Sequence, residues 1–407
     1  MYAFRKPFTA AAFIDPADGA QSFKSILVIS QVLGYMLSKF IGIKVVSEMP
    51  PERRAMSILF LIGIAEVALI LFGIVPRPWN AICMFFNGLP LGMVFGLVLG
   101  FLEGRCLTEA LAAALCASFI VADGFTKSVG TWLLNSGVSE QWMPSVAGAI
   151  FLTPLLVFVW MLARTPAPSH NDKAARNERN LMTSSDRMGF FRRHAWPLSM
   201  LTLMYLLVTV LRSFRADFAP EIWKALGAQT PPSIFTYSEI LVAAGIMSVS
   251  AGFVLVRDNR QAFFASLVVC AMGFVLVAVA LVGQTLGGWL SPFAFMVLVG
   301  LGLYLPYVAV HTTIFERLLA MTRDKGNVGF LMYVVDSVGY LGYVAVMLIK
   351  NGVDWYWKSS TAGSTSSQGL LDFFAVACML SCLVSWLAIY ICYRYYAMAE
   401  TRAKSVA

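Results

Sequence analysis

The sequence predicts an all-α membrane protein built as two pseudo-symmetric six-helix bundles. Composition, the recurrence of long apolar runs and an internal sequence echo predict it. Of 407 residues, 59% are hydrophobic and 13% charged, with a mean hydropathy of +0.74. Soluble domains carry about a quarter charged residues, so most of this chain is solvated by lipid. A soluble enzyme on an anchor is excluded, because stretches of about 20 apolar residues, the length that spans a bilayer, recur from end to end.

Apolar runs bounded by Pro, Gly, Lys and Arg place spans at 1–13, 22–47, 55–75, 79–102, 107–134, 142–163, 196–219, 232–256, 261–283, 290–315, 327–349 and 369–395. Twelve result, the first abnormally short. With the N-terminus inside, nineteen Lys and Arg fall in inner segments, among them Arg53, Arg54, Arg193 and Arg323, and five in outer ones (Lys24, Arg77, Lys224, Lys350, Lys358). That asymmetry predicts two cytoplasmic termini. The net charge of +8 therefore reports topology and contact with anionic lipid rather than nucleic acid.

The longest polar stretch, 164–195, reads as a cytoplasmic linker. It divides a bundle at 1–163 from one at 196–396, followed by a tail at 397–407. The seven cysteines lie in or beside apolar runs, which argues against disulfides or a zinc site. No cofactor is implied, and no Ser/His/Asp constellation marks an enzyme. The partners expected are a small-molecule solute and the bilayer, with the chain a monomer.

The halves echo each other. Leu102-Glu103-Gly104-Arg105 matches Phe315-Glu316-Arg317, and Val121-Ala122-Asp123 matches Val334-Val335-Asp336. Glu52-Arg53-Arg54 matches Asp258-Asn259-Arg260, and Phe4-Arg5-Lys6-Pro7-Phe8 matches Phe214-Arg215-Ala216-Asp217-Phe218. Two six-helix halves in parallel repeat are the architecture of the major facilitator superfamily, with a cavity between them.

Within that superfamily, Tyr2-Ala3-Phe4-Arg5-Lys6-Pro7-Phe8 resembles the helix 1 signature of the organophosphate:phosphate antiporter branch, which includes glycerol-3-phosphate transporters. Gly34-Tyr35, Ser38-Lys39-Phe40, Leu211-Arg212 with Asp217 and Pro220, and Arg164-Thr165-Pro166 extend the resemblance. The chain also resembles a bacterial group of the superfamily for which no substrate is implied. Two departures stand out: Asp123 occupies the place of the branch's helix 5 histidine, and the acidic-basic motif after helix 2 is reduced to Ser47-Glu48-Met49 and Arg53-Arg54. The resemblance implies a transporter of the bacterial inner membrane in which one arginine from helix 1 and one from helix 7 grip a phosphoryl group.

Charges inside the spans point the same way. Arg5, Lys39, Glu66, Asp123, Lys127, Arg212, Arg215, Glu239 and Asp336 each cost about 2.5–3.5 kcal/mol at mid-bilayer unless they face a cavity or a partner. Arginine suits an oxyanion because its planar fork makes bidentate bonds and stays charged in a dry site. Arg5 is the first candidate. For the second, the branch pattern favours Arg212 and the internal repeat favours Arg215, three residues apart on one face. Alternatively, the arginines only pair with Asp123, Asp336 or Glu239 to latch the halves.

Tyr35 and Lys39 share a face of span 2, as substrate contacts. Asp123 with Lys127, and Asp336 with Tyr340, repeat an i,i+4 spacing and are candidates for coupling or for a fixed ion pair. Glu239, near the start of span 8, reads as a gate. His311, alone among histidines in a span, reads as a packing group or a cavity and proton residue. Pro90 and Pro306, beside Gly88, Gly92, Gly300 and Gly302, predict kinks in spans 4 and 10.

The function expected is secondary transport of a small, anionic, organophosphate-like metabolite by alternating access. A proton-coupled carrier of a sugar, peptide or cell-wall fragment, and a non-transporting sensor, remain open. Span 7 starts near Trp196, 19 residues before Arg215, whereas four residues precede Arg5. That comparison predicts that Met1 is an internal methionine, with the start roughly 15 to 25 residues upstream.

Overall fold

The computed structural model of the chain describes residues 1–14, 23–47, 49–102, 108–166, 184–322, 328–360 and 367–406. Glu103-Gly104-Arg105, Arg323 and most of the expected linker lie outside them. Eleven helices are long and apolar enough to cross a bilayer, and no β-strand occurs among the described residues.

Spans 2 to 6 are Lys24–Ser47, Pro51–Ile74, Asn80–Leu102, Thr108–Asn135 and Met143–Ala163. Spans 7 to 9 are Ser184–Asp217, Ser233–Val254 and Asn259–Val282. Span 10 is composite, Pro292–Ala309 followed by a π turn Val310–Ile314 and Phe315–Thr322; spans 11 and 12 are Val328–Ser360 and Ser367–Val406. Side-chain caps start spans 9 and 10: Asp258 accepts from the backbone N–H of Gln261, and Ser291 from that of Ala294.

Span 7 begins further upstream than expected, inside the stretch read as linker. Its backbone leaves helical geometry at His194 (φ −113°, ψ 19°). The cause is Pro197, which lacks an N–H and crowds the preceding turn. The Tyr396 hydroxyl, 3.2 Å from the His194 ring, and Tyr395, donating to the Arg193 carbonyl, tie that bend to span 12.

Span 1 differs in form. Residues 1–14 hold two 3₁₀ turns, Tyr2–Phe4 and Pro7–Ala10, buried against spans 3, 5 and 6. Non-α backbone at membrane depth survives only where its polar groups find partners. Here side chains supply them: Asn87 Nδ2 donates to the Phe4 carbonyl, Gln31 Nε2 to Arg5 and Lys24 Nζ to Thr9, at 3.0, 3.0 and 2.6 Å.

Spans 2, 3 and 4 pack together, as do spans 7, 10, 11 and 12. Between the two groups, span 5 packs on span 8 and span 2 on span 11. Glycine permits the close approaches. A Cβ at Gly34 or Gly88 would strike backbone carbonyls of Phe85 and Gln31, and one at Gly124 that of Phe235. Lipid-facing positions remain apolar: Phe60, Phe158 and Leu383 are all exposed.

Candidate functional site

Where spans 2, 5, 7, 10 and 11 meet residues 1–14, seven cations are buried: Arg5, Lys6, Lys24, Lys39, Lys127, Arg212 and Arg215. Their arrangement falls into three layers, set by helical rise of about 1.5 Å per residue.

At the end where span 2 begins and span 7 finishes, Lys6 pairs with Asp217. The Tyr343 hydroxyl donates to the other Asp217 oxygen at 2.9 Å. Lys24 meets Glu221 at 2.6 Å. Both ion pairs join residues more than 190 positions apart, so they close this end by bridging the halves of the sequence.

Fifteen residues along span 2, about 22 Å deeper, Lys39 meets Asp336 Oδ2 at 3.1 Å. The other Asp336 oxygen accepts from the Tyr205 hydroxyl and lies 3.5 Å from His311 Nε2. His311 sits in the π turn of span 10; such turns frequently interrupt helices at functional positions.

Arg5 and Arg212 occupy the layer between. The Arg5 guanidinium lies 4.0 Å from the Tyr35 ring centroid and 5.9 Å from that of Tyr340; Arg212 lies 4.2 Å from Tyr307 and 5.6 Å from Tyr304. Tyr35 and Tyr340 meet edge to face at 5.0 Å, and Tyr2 stacks on Phe119. Neither arginine forms an ion pair among the described residues, and the Nε of each is buried without a hydrogen-bond partner. The other five buried cations each have a carboxylate within 3.1 Å.

Arg215 is therefore unlike Arg212. Its guanidinium meets Glu239 at 2.8 Å and donates to the Met296 carbonyl at 2.8 Å. Asp123 and Lys127 pair with each other along span 5, with Asp123 Oδ1 left unpartnered. Tyr340 does not bond Asp336 despite the shared spacing; its ring packs on Tyr35 instead.

Sequence reasoning missed the partners Lys6 and Asp217, the amides Gln31 and Asn87, and the tyrosines Tyr205, Tyr304 and Tyr307. Tyr304, Tyr307 and His311 recur at i, i+3 and i+7, a one-face pattern that marks the side of span 10 turned to Arg212 and Asp336. Among the described residues no three His, Cys, Asp or Glu side chains converge as metal ligands.

Residues 7–397 match the model of a family of unknown function (DUF5690). The chain belongs to that family. No curated protein matches it in sequence. In structure, this member of the family is similar to a D-xylose-proton symporter, at 14% identity over 95% of this chain and 93% of the other, with a TM-score of 0.56. The human organic anion transporter MFSD10 (TETRAN) is similar at 15% identity over 89% and 83% of the two chains, with a TM-score of 0.49. The symporter likeness carries the fold: the family member has the major facilitator fold and is a multi-pass membrane protein.

Proposed function

We propose that the chain is a secondary active transporter that moves a small dianionic metabolite, organophosphate-like in its charge, by alternating access between halves 1–163 and 196–396. One observation carries the reading: of seven buried cations among the described residues, only Arg5 and Arg212 lack a described carboxylate within ion-pair distance. Two fixed, desolvated positive charges with unused N–H donors are costly, and a phosphoryl or paired carboxylate group offsets both. The tyrosine rings over each guanidinium hold its plane while leaving the forked edge for the ligand.

Arg215, engaged by Glu239, is a structural latch in this reading, and the second gripping residue is Arg212. Tyr35 lines the site beside Arg5. Lys39 and Asp336 form the cytoplasmic gate, Lys6 and Asp217 the outer one, consistent with the positive-inside asymmetry of the bacterial-type inner membrane expected from the sequence. Asp123 with Lys127 fixes span 5 against the site, and Tyr340 contributes its ring.

A thermal-shift screen of purified protein against phosphate monoesters, dicarboxylates and neutral sugars tests this. Dianions are expected to raise Tm, and Arg5→Ala and Arg212→Ala each to abolish the rise. Stabilisation by neutral sugars that survives both substitutions would sink the proposal.

A further inference from the structure

Spans 7 and 11 share a face that the three charged layers do not use. At one end of it the two helices close up: a Cβ at Gly342 would meet the Leu206 side chain at 2.9 Å, and one at Gly339 would meet Thr209 at 3.0 Å. Towards the start of span 7 they part, and Ala195, Leu198, Thr202 and Leu203 face Val334 and Val338 across a groove of about 520 Å³. The two valines lie two residues either side of Asp336, which at about 100° per residue turns them to the opposite side of span 11 from the buried carboxylate. Ala195 and Ser199 are exposed. The groove therefore opens outward to the bilayer, away from the layer of Arg5 and Arg212.

Its dimensions select the occupant. From Ala195 to Leu206 the helix rises about 16 Å, and one leaflet of hydrocarbon, half the core, is about 15 Å deep. Spread over that length, the volume leaves a cross-section of about 30 Å², too slim for a helix about 10–12 Å across and suited to a single hydrocarbon chain. Thr202, whose hydroxyl donates to the Leu198 carbonyl at 2.7 Å, offers the groove no free hydrogen.

The mouth is different in kind. Arg192 lines it, exposed and without an ion pair among the described residues, and no carboxylate lines the groove. One turn further on, Trp196 is 58% exposed. Tryptophan collects at the headgroup level of a bilayer, which puts Arg192 among the lipid phosphates. Span 7 begins on the side that the Lys and Arg asymmetry makes cytoplasmic, the leaflet whose surface is anionic.

We propose that this groove binds one anionic phospholipid of the cytoplasmic leaflet, with an acyl chain between spans 7 and 11 and the phosphate at Arg192. The chain supplies the packing contacts that the parted helices do not make with each other. Because the groove lies outside the Arg5 and Arg212 layer, the lipid binds there whatever solute crosses.

Photolabelling tests it. The protein is reconstituted in phosphatidylcholine vesicles with a trace of phosphatidylglycerol that carries a diazirine midway along one acyl chain, and labelled positions are read by peptide mass spectrometry. Label is expected to concentrate at Leu203, Leu206 and Val338, above its level at the lipid-facing Phe158 and Leu383. Unlabelled phosphatidylglycerol should displace it, and inorganic phosphate should not. Arg192→Gln, at an exposed position where folding is not at stake, should lower groove labelling about fivefold. Arg257→Gln, at an exposed arginine outside the groove, should leave it unchanged. Groove labelling no stronger than at Phe158 and Leu383, or equal labelling by a diazirine phosphatidylcholine, overturns the proposal. Displacement by inorganic phosphate would show that no chain is held, and an equal loss in Arg192→Gln and Arg257→Gln would reduce the preference to the diffuse charge of the surface; either result overturns the site.

Discussion

The guanidinium of Arg212 lies 4.2 Å from the centroid of the Tyr307 ring, and that ring lies 4.6 Å from the imidazole of His311. One tyrosine thus separates the unpaired cation of the middle layer from the histidine of the deeper one. Its face orients Arg212, and its backbone carbonyl oxygen lies 3.0 Å from His311 Nδ1.

The stacking predicts a graded series at Tyr307. Tyr307→Phe keeps the ring and should leave dianion affinity within about twofold. Tyr307→Ala removes a desolvated cation–π contact of about 0.5–2 kcal/mol, so affinity should fall roughly 2- to 30-fold. Arg212→Lys keeps the charge but loses the fork. Charge-assisted hydrogen bonds of about 1.5–3 kcal/mol put its loss at roughly 10- to 150-fold. Titration calorimetry with a dianion from the thermal-shift screen measures all three. A Lys variant that binds as tightly as the parent would show that a point charge suffices and that the fork has no role.

The closed end at Lys6 and Asp217 predicts a population shift. Removing one partner of a buried pair costs about 3–5 kcal/mol by leaving the other charge uncompensated. Asp217→Asn should therefore favour opening at that end, read as faster maleimide labelling of a cysteine placed at Ala10 in a cysteine-less background. Exchanging the charges, Lys6→Asp with Asp217→Lys, should slow labelling again. Tyr343, which bonds Asp217 at 2.9 Å, softens the effect, so Tyr343→Phe alone should accelerate labelling less than Asp217→Asn. Equal labelling rates in Asp217→Asn and the parent would remove the pair from any gating role.

Hydropathy made the eleven regular spans legible because each is set by local composition and by the thickness of the bilayer. Span 1 was legible in place but not in form: its turns depend on Gln31, Asn87 and Lys24, distant in sequence, capping its carbonyls. The choice between Arg212 and Arg215 was hidden for the same reason. Three residues apart, they share a face, and only the packing of span 8, which brings Glu239 to Arg215, distinguishes them. Asp123 with Lys127 could be read from i,i+4 spacing, and the pair forms. Asp336 with Tyr340 has the same spacing, yet Asp336 turns to Lys39, 297 positions away, a relationship no local pattern contains.

Glycine packing gives a prediction with an internal control. A Cβ at Gly88 would strike the Gln31 backbone carbonyl, which no side-chain rotation relieves, whereas one at Gly63 would meet nothing within 4 Å. Gly88→Ala must separate spans 2 and 4 and displace Gln31 from Arg5; overpacking of this kind costs about 1–3 kcal/mol. Gly63→Ala should be neutral or slightly stabilising, since alanine is the better helix former by about 1 kcal/mol. Thermal unfolding in detergent separates them, with the lower Tm expected for Gly88→Ala. Equal Tm values would mean that the close approach of spans 2 and 4 is not needed.

Glu66 supplies the opposite case, a buried charge whose removal should help. Its side chain in span 3 is buried, Oε2 has no hydrogen-bond partner, and it faces Gly148 of span 6, where a Cβ would collide with the carboxylate. No cation lies within ion-pair distance among the described residues, unlike every carboxylate of the central layers. A buried carboxylate without a partner is costly, so Glu66→Gln, which keeps the shape and removes the ionisable group, should raise Tm at pH 8. Dianion affinity should stay unchanged in the same variant, because Glu66 touches neither Arg5 nor Arg212. A Tm at pH 8 below that of the parent would mean that the carboxylate has a stabilising partner in the membrane, and would place Glu66 among the paired charges after all.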